Sequence, residues 1–451
     1  MHRTLVRHCP SMTQHSRWTH ASAFPSYAAR SLARVLRRST FAAALLATTS
    51  GSASVAWAQV AQGGRPLERQ AFHDVGARAR FVEILNVAAS SNAPNLVGPS
   101  RWSTLVAQHR EAIESCRSHE SFAAAVNRLL HDTGVSHFTY HTDEDWAFWH
   151  MRGLFGSGKE DEIEHIGIYP QKIDGRWFVR GILEGSLADG GEIRVGDELI
   201  SVDGSPYAPI TAFHGTAGRP TQIRLRRRPD LFVNLEVIPR RELLYQVMQD
   251  AIQASVRVME HESLRLAYLH GWTLLGSGSE FDTLVNMQDD VDGLLLDWRD
   301  GLGGTMDRAM HFLVGPDDPP AGSPPSPQWH KPVVVLVADG TRSAKELVID
   351  AARKAHRAVL VGEPTPGHVT SVGGIEKIGD DALLMLPGHR FHLEGKPTQP
   401  DYLIRREIRH GNGADPQLVA AKEVLAQLIK DRARRSSSAK SPAANPPPSP
   451  R

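Results

Sequence analysis

The sequence predicts a multidomain α/β protein made of an N-terminal helical cap, a β-rich module and an α/β core. Three patterns carry that expectation. Apolar residues recur at helical spacing over residues 64–135, short β-like runs broken by turn dipeptides fill 163–240, and apolar strands alternate with helical stretches over 264–410. The 451 residues allow two or three domains at roughly 100–200 residues each. With 41% hydrophobic and 22% charged residues, the composition excludes wholesale disorder and a multi-span membrane protein.

The first element is a leader. Arg37-Arg38 precede the apolar run 41–47, and Ala56-Trp57-Ala58 follows. A basic region, a short apolar stretch and an A-x-A site predict a secretory signal over residues 1–58, hence an exported, periplasmic or secreted protein. The alternative is an intracellular protein whose leader is only apparent. The run is too short to cross a bilayer as a helix, so no stable membrane span is expected after signal removal. Residues 1–58 hold seven arginines and no lysine or acid; beyond them 44 basic residues face 50 acidic ones, a net charge of −6. That balance gives no electrostatic case for nucleic-acid binding. Two cysteines, one of them in the leader, exclude a disulfide scaffold.

The helical cap spans residues 64–150, with Phe81, Ile84 and Leu85, then Phe122, Ala125, Leu129 and Leu130, on helical faces. In the β-rich module (163–240), runs such as Glu198–Val202 are punctuated by Asp174-Gly175 and Asp203-Gly204. The core (241–431) contains near-continuous apolar strands such as Val333–Val337, which suit a sheet covered on both faces. A Pro-rich insertion at 315–332 reads as a surface loop, and the basic, Pro-rich tail at 432–451 as disordered.

Ser343 follows a buried strand and opens a helix, where free N–H groups suit a developing oxyanion. A simple N-cap fits the same position. Gly303-Gly304 lets backbone amides approach a substrate carbonyl. The G-x-x-x-x-G-K match at Gly153–Lys159 is followed by Glu160, which cannot replace the hydroxyl a phosphate loop places on magnesium. Neither H-E-x-x-H nor C-x-x-C occurs, so no metal and no cofactor is expected.

The runs "HIGIYP" and "GILEGSLADGGEIRVGDELISVDGSP" make the middle module resemble a PDZ domain. That resemblance implies strand addition of a peptide, with Ile166, Gly167 and Ile168 in the loop that receives its carboxylate. "LRLAYLHGW", "GLLLDWRDGLGG", "VVVLVADGTRSAKELVIDAARKAHRAVLVGEPTPG" and "LEGKPTQPD" occur in the order seen in the S41 peptidases, the family of C-terminal processing and tricorn core proteases. The resemblance covers about residues 75–430 and implies a core of the ClpP/crotonase-like type, a polypeptide substrate and Ser343 as nucleophile. It puts oxyanion donors at Gly303, Gly304 and Ala344. Processing proteases carry their base at the position of His368. Tricorn-like members use a histidine in a Ser-His pair, here Ser136-His137, supported by a glutamate that matches Glu394. The expected set is Ser343, His137, Ser136 and Glu394, with His368 as the alternative base. Departures from the family pattern, among them Ser-Ala-Lys-Glu around the nucleophile, leave a non-catalytic peptide- or small-ligand-binding protein as the alternative function.

Overall fold

The computed structural model describes residues 72–155, 159–315 and 328–440. The leader, most of the Pro-rich insertion and residues 441–451 lie outside them. The chain opens with helices α1 (Phe72–Ala89), α2 (Ala93–Val97), α3 (Pro99–Glu114) and α4 (His119–Asp132). Ser118 and Ser121 exchange side-chain to backbone hydrogen bonds in a capping box that starts α4. Phe122, Val126, Leu129 and Leu130 then recur on its buried face. After a turn at Gly134, where φ is +67°, strand β1 (Thr139–Thr142) forms, followed by α5 (Trp146–Phe155).

The β-module contains β2 (Ile163–His165), β3 (Ile168–Ile173), β4 (Arg176–Ile182), β5 (Glu198–Val202), β6 (Ser205–Pro206), β7 (Thr221–Arg228), β8 (Leu231–Val237) and β9 (Arg240–Glu242). Its main sheet runs β3-β4-β5-β7-β8, antiparallel throughout, which leaves β3 at an edge; β6 pairs with β5, and β2 pairs with β9. One face is packed and the other wet, as the exposed and half-buried alternation of β8 records.

The core follows as α6 (Leu244–Ser255), β10 (Arg257–His261), β11 (Leu264–His270), α7 (Ser279–Met287), β12 (Gly293–Asp297), α8 (Asp307–Leu313), β13 (Val333–Val337), α9 (Ala344–Lys354), β14 (Val359–Gly362), β15 (Thr370–Ile378), β16 (Ala382–Arg390), β17 (Tyr402–Leu403) and α10 (Pro416–Lys440). Its main sheet has the order β10-β11-β12-β13-β14-β17, parallel from β11 onward. Every residue of β12 and β13 is buried. Leu294, Leu296, Val333 and Val335 face the cluster built with α6 to α9, while Leu295, Val334 and Leu336 face α10. Side chains that alternate between two covered faces explain why these strands are apolar up to Asp297, the buried carboxylate that ends β12.

Three features differ from the sequence expectation. The cap is not purely helical, because β1 joins the sheet β1-β16-β15 and so stitches residues 139–142 to the core. The described end of the Pro-rich insertion is anchored, since Trp329 is fully buried and stacks near Phe312; so large an apolar ring is driven inward despite its polar surroundings. The tail does not begin at residue 432, because α10 continues to Lys440. No helix among the described residues is long and apolar enough to cross a membrane.

Candidate active site

The site forms where the ends of β12 and β13, the start of α9, the segment before β1 and the loops flanking β15 and β16 meet. Ser343 is the residue before α9, with φ +61° and ψ −129°. Few non-glycine residues adopt such a backbone, and it is retained only where the surroundings over-determine it. Those surroundings are explicit. Thr341 is fully buried, accepts the Ala338 N–H at 2.9 Å and donates to the Trp298 carbonyl at 2.9 Å. The Ser343 N–H donates to the His368 carbonyl at 2.9 Å. Its hydroxyl makes no helix-capping bond, so the simple N-cap reading of this serine does not hold.

Gly303 lies against the nucleophile position. A Cβ on it would stand 2.5 Å from Ser343 Cβ and 2.9 Å from Oγ, so only glycine fits. The Gly303 carbonyl accepts Leu274 N–H at 2.8 Å and Thr273 Oγ1 at 2.9 Å. A trans peptide then turns the Gly304 N–H the opposite way, off the 272–274 segment. The Ala344 N–H is one of the donors a helix start leaves unpaired.

On the other side, Ser136 and Glu394 meet across 258 residues of sequence. Glu394 Oε1 accepts Ser136 N–H at 2.7 Å, and Oε2 accepts Ser136 Oγ at 2.9 Å and Val369 N–H at 2.7 Å. Burial opposes ionisation of this carboxyl, but these donors outweigh it and hold Glu394 below its usual range. An ionised carboxylate only accepts, so the Ser136 hydroxyl spends its proton on it. Its oxygen then receives Thr370 N–H at 3.1 Å and His137 Nδ1 at 3.1 Å. This arrangement puts the imidazole proton on Nδ1 and leaves Nε2 with a free lone pair. Among the described residues no hydrogen bond joins Ser343 Oγ to His137 or His368. Ile166, Gly167 and Ile168 lie in the β-module, where the Gly167 carbonyl accepts Leu183 N–H at 2.8 Å, beside a cavity of about 90 Å³ lined by His165, Glu184 and Ser186.

Residues 265–402 match the family described as Peptidase family S41. The chain carries a peptidase S41 family domain. It is 26% identical over 368 residues to tricorn protease homolog 2 of Streptomyces coelicolor, covering 73% of this chain and 30% of that protein. It is 24% identical over 278 residues to the carboxy-terminal processing protease CtpA of Bacillus subtilis, covering 53% of this chain and 57% of that protein. The chain therefore spans under two thirds of either relative. Among solved structures, the photosystem II D1 C-terminal processing protease aligns with a TM-score of 0.43 and 17% identity over 77% of this chain and 97% of that one.

Sequence reasoning missed several groups around the S41 domain. Lys345 is fully buried and donates to the Asp300 carbonyl at 2.7 Å and the Trp272 carbonyl at 3.4 Å. Burial, aided by the Arg342 charge and opposed by Asp300 and Asp297, brings its ammonium down to about 7. Glu346, also fully buried, accepts Thr365 Oγ1 at 2.5 Å, Gly367 N–H at 2.8 Å and His368 N–H at 2.7 Å. Ser343-x-x-Glu346 has the spacing of a capping box, but the carboxylate points to the 365–368 loop instead. Arg180 on β4 bridges to Asp300 and Asp339, and Glu184 accepts from His270 Nδ1 at 2.8 Å and Trp272 Nε1 at 2.7 Å. The β-module is thereby fastened to the segments that hold Gly303. Burial and the Arg342 charge, against the pull of Glu394, lower His137 to about 4. Partial desolvation and Arg342 lower His368 as well. Among the described residues no cluster of His, Cys, Asp and Glu could hold a metal ion.

Proposed function

We propose that the protein is an exported serine endopeptidase. The observation that carries this reading is the Glu394–Ser136–His137 hydrogen-bond chain, which ends in a free Nε2, in one site with a strained Ser343 beside Gly303. Ser343 Oγ attacks the peptide carbonyl while His137 Nε2 takes its proton. The amides of Gly303, Gly304 and Ala344 receive the oxyanion. His137 returns the proton to the leaving amine, and water hydrolyses the acyl-enzyme by the same route. Glu394 acts through Ser136 to hold the tautomer. The β-module is read as a PDZ domain whose edge strand β3 takes substrate C-termini or gates the cleft.

A non-cleaving peptide-binding protein is the competing reading, favoured by the missing Ser343–His137 hydrogen bond. The test is digestion of unfolded protein with apolar C-termini by the chain from Gln59 onward and by its Ser343→Ala, His137→Ala and His368→Ala variants. Turnover should fall at least about 10³-fold in the first two, the scale of losing a nucleophile or its base, and persist in the third. Loss in His368→Ala alone would move the base. A wild-type protein that neither cuts nor is labelled at Ser343 by a serine-directed phosphonate would establish the binding protein.

A further inference from the structure

Arg342 immediately precedes Ser343 and is half-buried. It forms no ion pair or hydrogen bond among the described residues. The groups that feel its charge come from five segments: His137 before β1, His141 on β1, Tyr169 on β3, Lys345 on α9 and His368 before β15. None of them is an anion. The acids nearby are already committed. Glu394 is filled by Ser136 and Val369, Glu346 by the 365–368 loop, and Asp300 and Asp339 by Arg180. A half-buried guanidinium beside the nucleophile without a counter-charge is unfavourable unless something that binds there supplies one. Its planar fork matches a carboxylate bidentately.

We propose that Arg342 recognises a substrate carboxylate, so that the bond cut lies beside an Asp or Glu side chain or beside the free C-terminus. The inference rests on the peptidase reading and names its substrate class. The Arg342 carbonyl is 3.1 Å from where a Gly303 Cβ would stand, so the arginine backbone borders the oxyanion loop itself. At about 3.3 Å per extended residue, a carboxylate paired with its side chain lies within about two residues of the carbonyl under attack. An anion there also offsets the positive field that holds protons off His137, so binding of the correct substrate strengthens the base as it arrives.

The test uses one peptide sequence in which Asp, Asn or Lys is placed at each of three positions on either side of the cleaved bond. Each peptide is made with a free and an amidated C-terminus. The wild-type chain, Arg342→Gln, Arg342→Lys and Ser343→Ala are compared by kcat/KM, with thermal melting as the control for folding. A charge-assisted pair predicts a preference of roughly tenfold to hundredfold for Asp over Asn at one position, or for free acid over amide. The first pattern identifies an internal acid and the second the chain terminus. The preference should fall to within about twofold in Arg342→Gln and keep its sign but lose most of its size in Arg342→Lys, which retains the charge without the fork. Equal cleavage of Asp, Asn and Lys peptides at both termini, with Ser343→Ala inactive, overturns the proposal and leaves the peptidase reading standing. Turnover that persists in Ser343→Ala overturns both.

Discussion

The loop that carries Gly303 and Gly304 and the loop that carries His368 both abut Ser343, yet α9 grips them with opposite charges. Lys345 takes the carbonyls of Asp300 and Trp272, whereas Glu346 takes the amides of Gly367 and His368 and the hydroxyl of Thr365. A trans peptide has its C=O and N–H on opposite sides. The buried cation fixes the peptides that follow Asp300 and Trp272, which back the loop of Gly303 and Gly304. The buried anion holds the Gly367 and His368 amides; the carbonyl opposite the His368 N–H, that of Gly367, accepts the Gly395 N–H at 2.8 Å, and the next carbonyl, that of His368, accepts the Ser343 N–H. Two adjacent residues of α9 thus anchor both loops beside the nucleophile.

The anionic side is the more vulnerable. Glu346→Ala strands two amides and a hydroxyl in a buried site, and an unsatisfied buried donor costs about 1–3 kcal/mol. We expect a loss of about 3 kcal/mol in chemical denaturation together with loss of turnover, because the carbonyl that holds Ser343 at φ +61° is no longer fixed. Glu346→Gln keeps one acceptor oxygen and should recover part of the stability. Full stability in the alanine variant would show that this loop is held by other contacts.

The cationic side separates stability from chemistry. Lys345→Met keeps the volume and removes a buried charge but leaves the Asp300 carbonyl without its donor, two effects that oppose each other. Burial lowers the lysine to about 7, so between about pH 7 and its unfolded value near 10.4 the unfolded chain binds more protons. Wild-type stability therefore rises with pH across that window, and the methionine variant lacks the rise. Its melting temperature at pH 7 should stay within a few degrees of wild type, because the relieved charge burial and the lost hydrogen bond offset each other. Its kcat should drop about tenfold or more with KM nearly unchanged, the signature of a displaced oxyanion loop. A parallel fall in melting temperature and kcat would reduce Lys345 to a structural role.

How much of this was legible in the sequence depends on the range of the interaction. The apolar runs at Gly293–Asp297 and Val333–Val337 announce a covered sheet because periodicity is local. Ser136, His137 and Glu394 could be listed from motif resemblance, but their hydrogen bonds close over 258 residues, which no local pattern encodes. Strand β1 was missed because Thr139–Thr142 is four residues long and gains its stability from pairing with β16. The roles of Lys345 and Glu346 were not legible, since sequence offers no sign that their partners are backbone groups from distant loops. Arg180 and Glu184 were hidden for the same reason, as they act across the boundary between β-module and core.

The smallest effect sharpens the contrast between the two histidines beside Ser343. His137 is lowered by burial and by Arg342 to about 4, below the ordinary imidazole near 6.5. A base must be unprotonated to accept the serine proton, so kcat/KM should hold steady through pH 6.5 and fall only as pH approaches about 4. The same shift makes the unfolded chain bind more protons between about pH 4 and 6.5, so folding stability declines over that acid window. The Arg342→Gln variant removes one of the forces that depress the base. Its acid limb should therefore move upward toward 6.5, by less than the full difference because burial, the larger cause, remains. A wild-type limb at 6.5 or above would mean that the imidazole doing the work is not held down by burial and Arg342 in the free enzyme, and would remove His137 as the base.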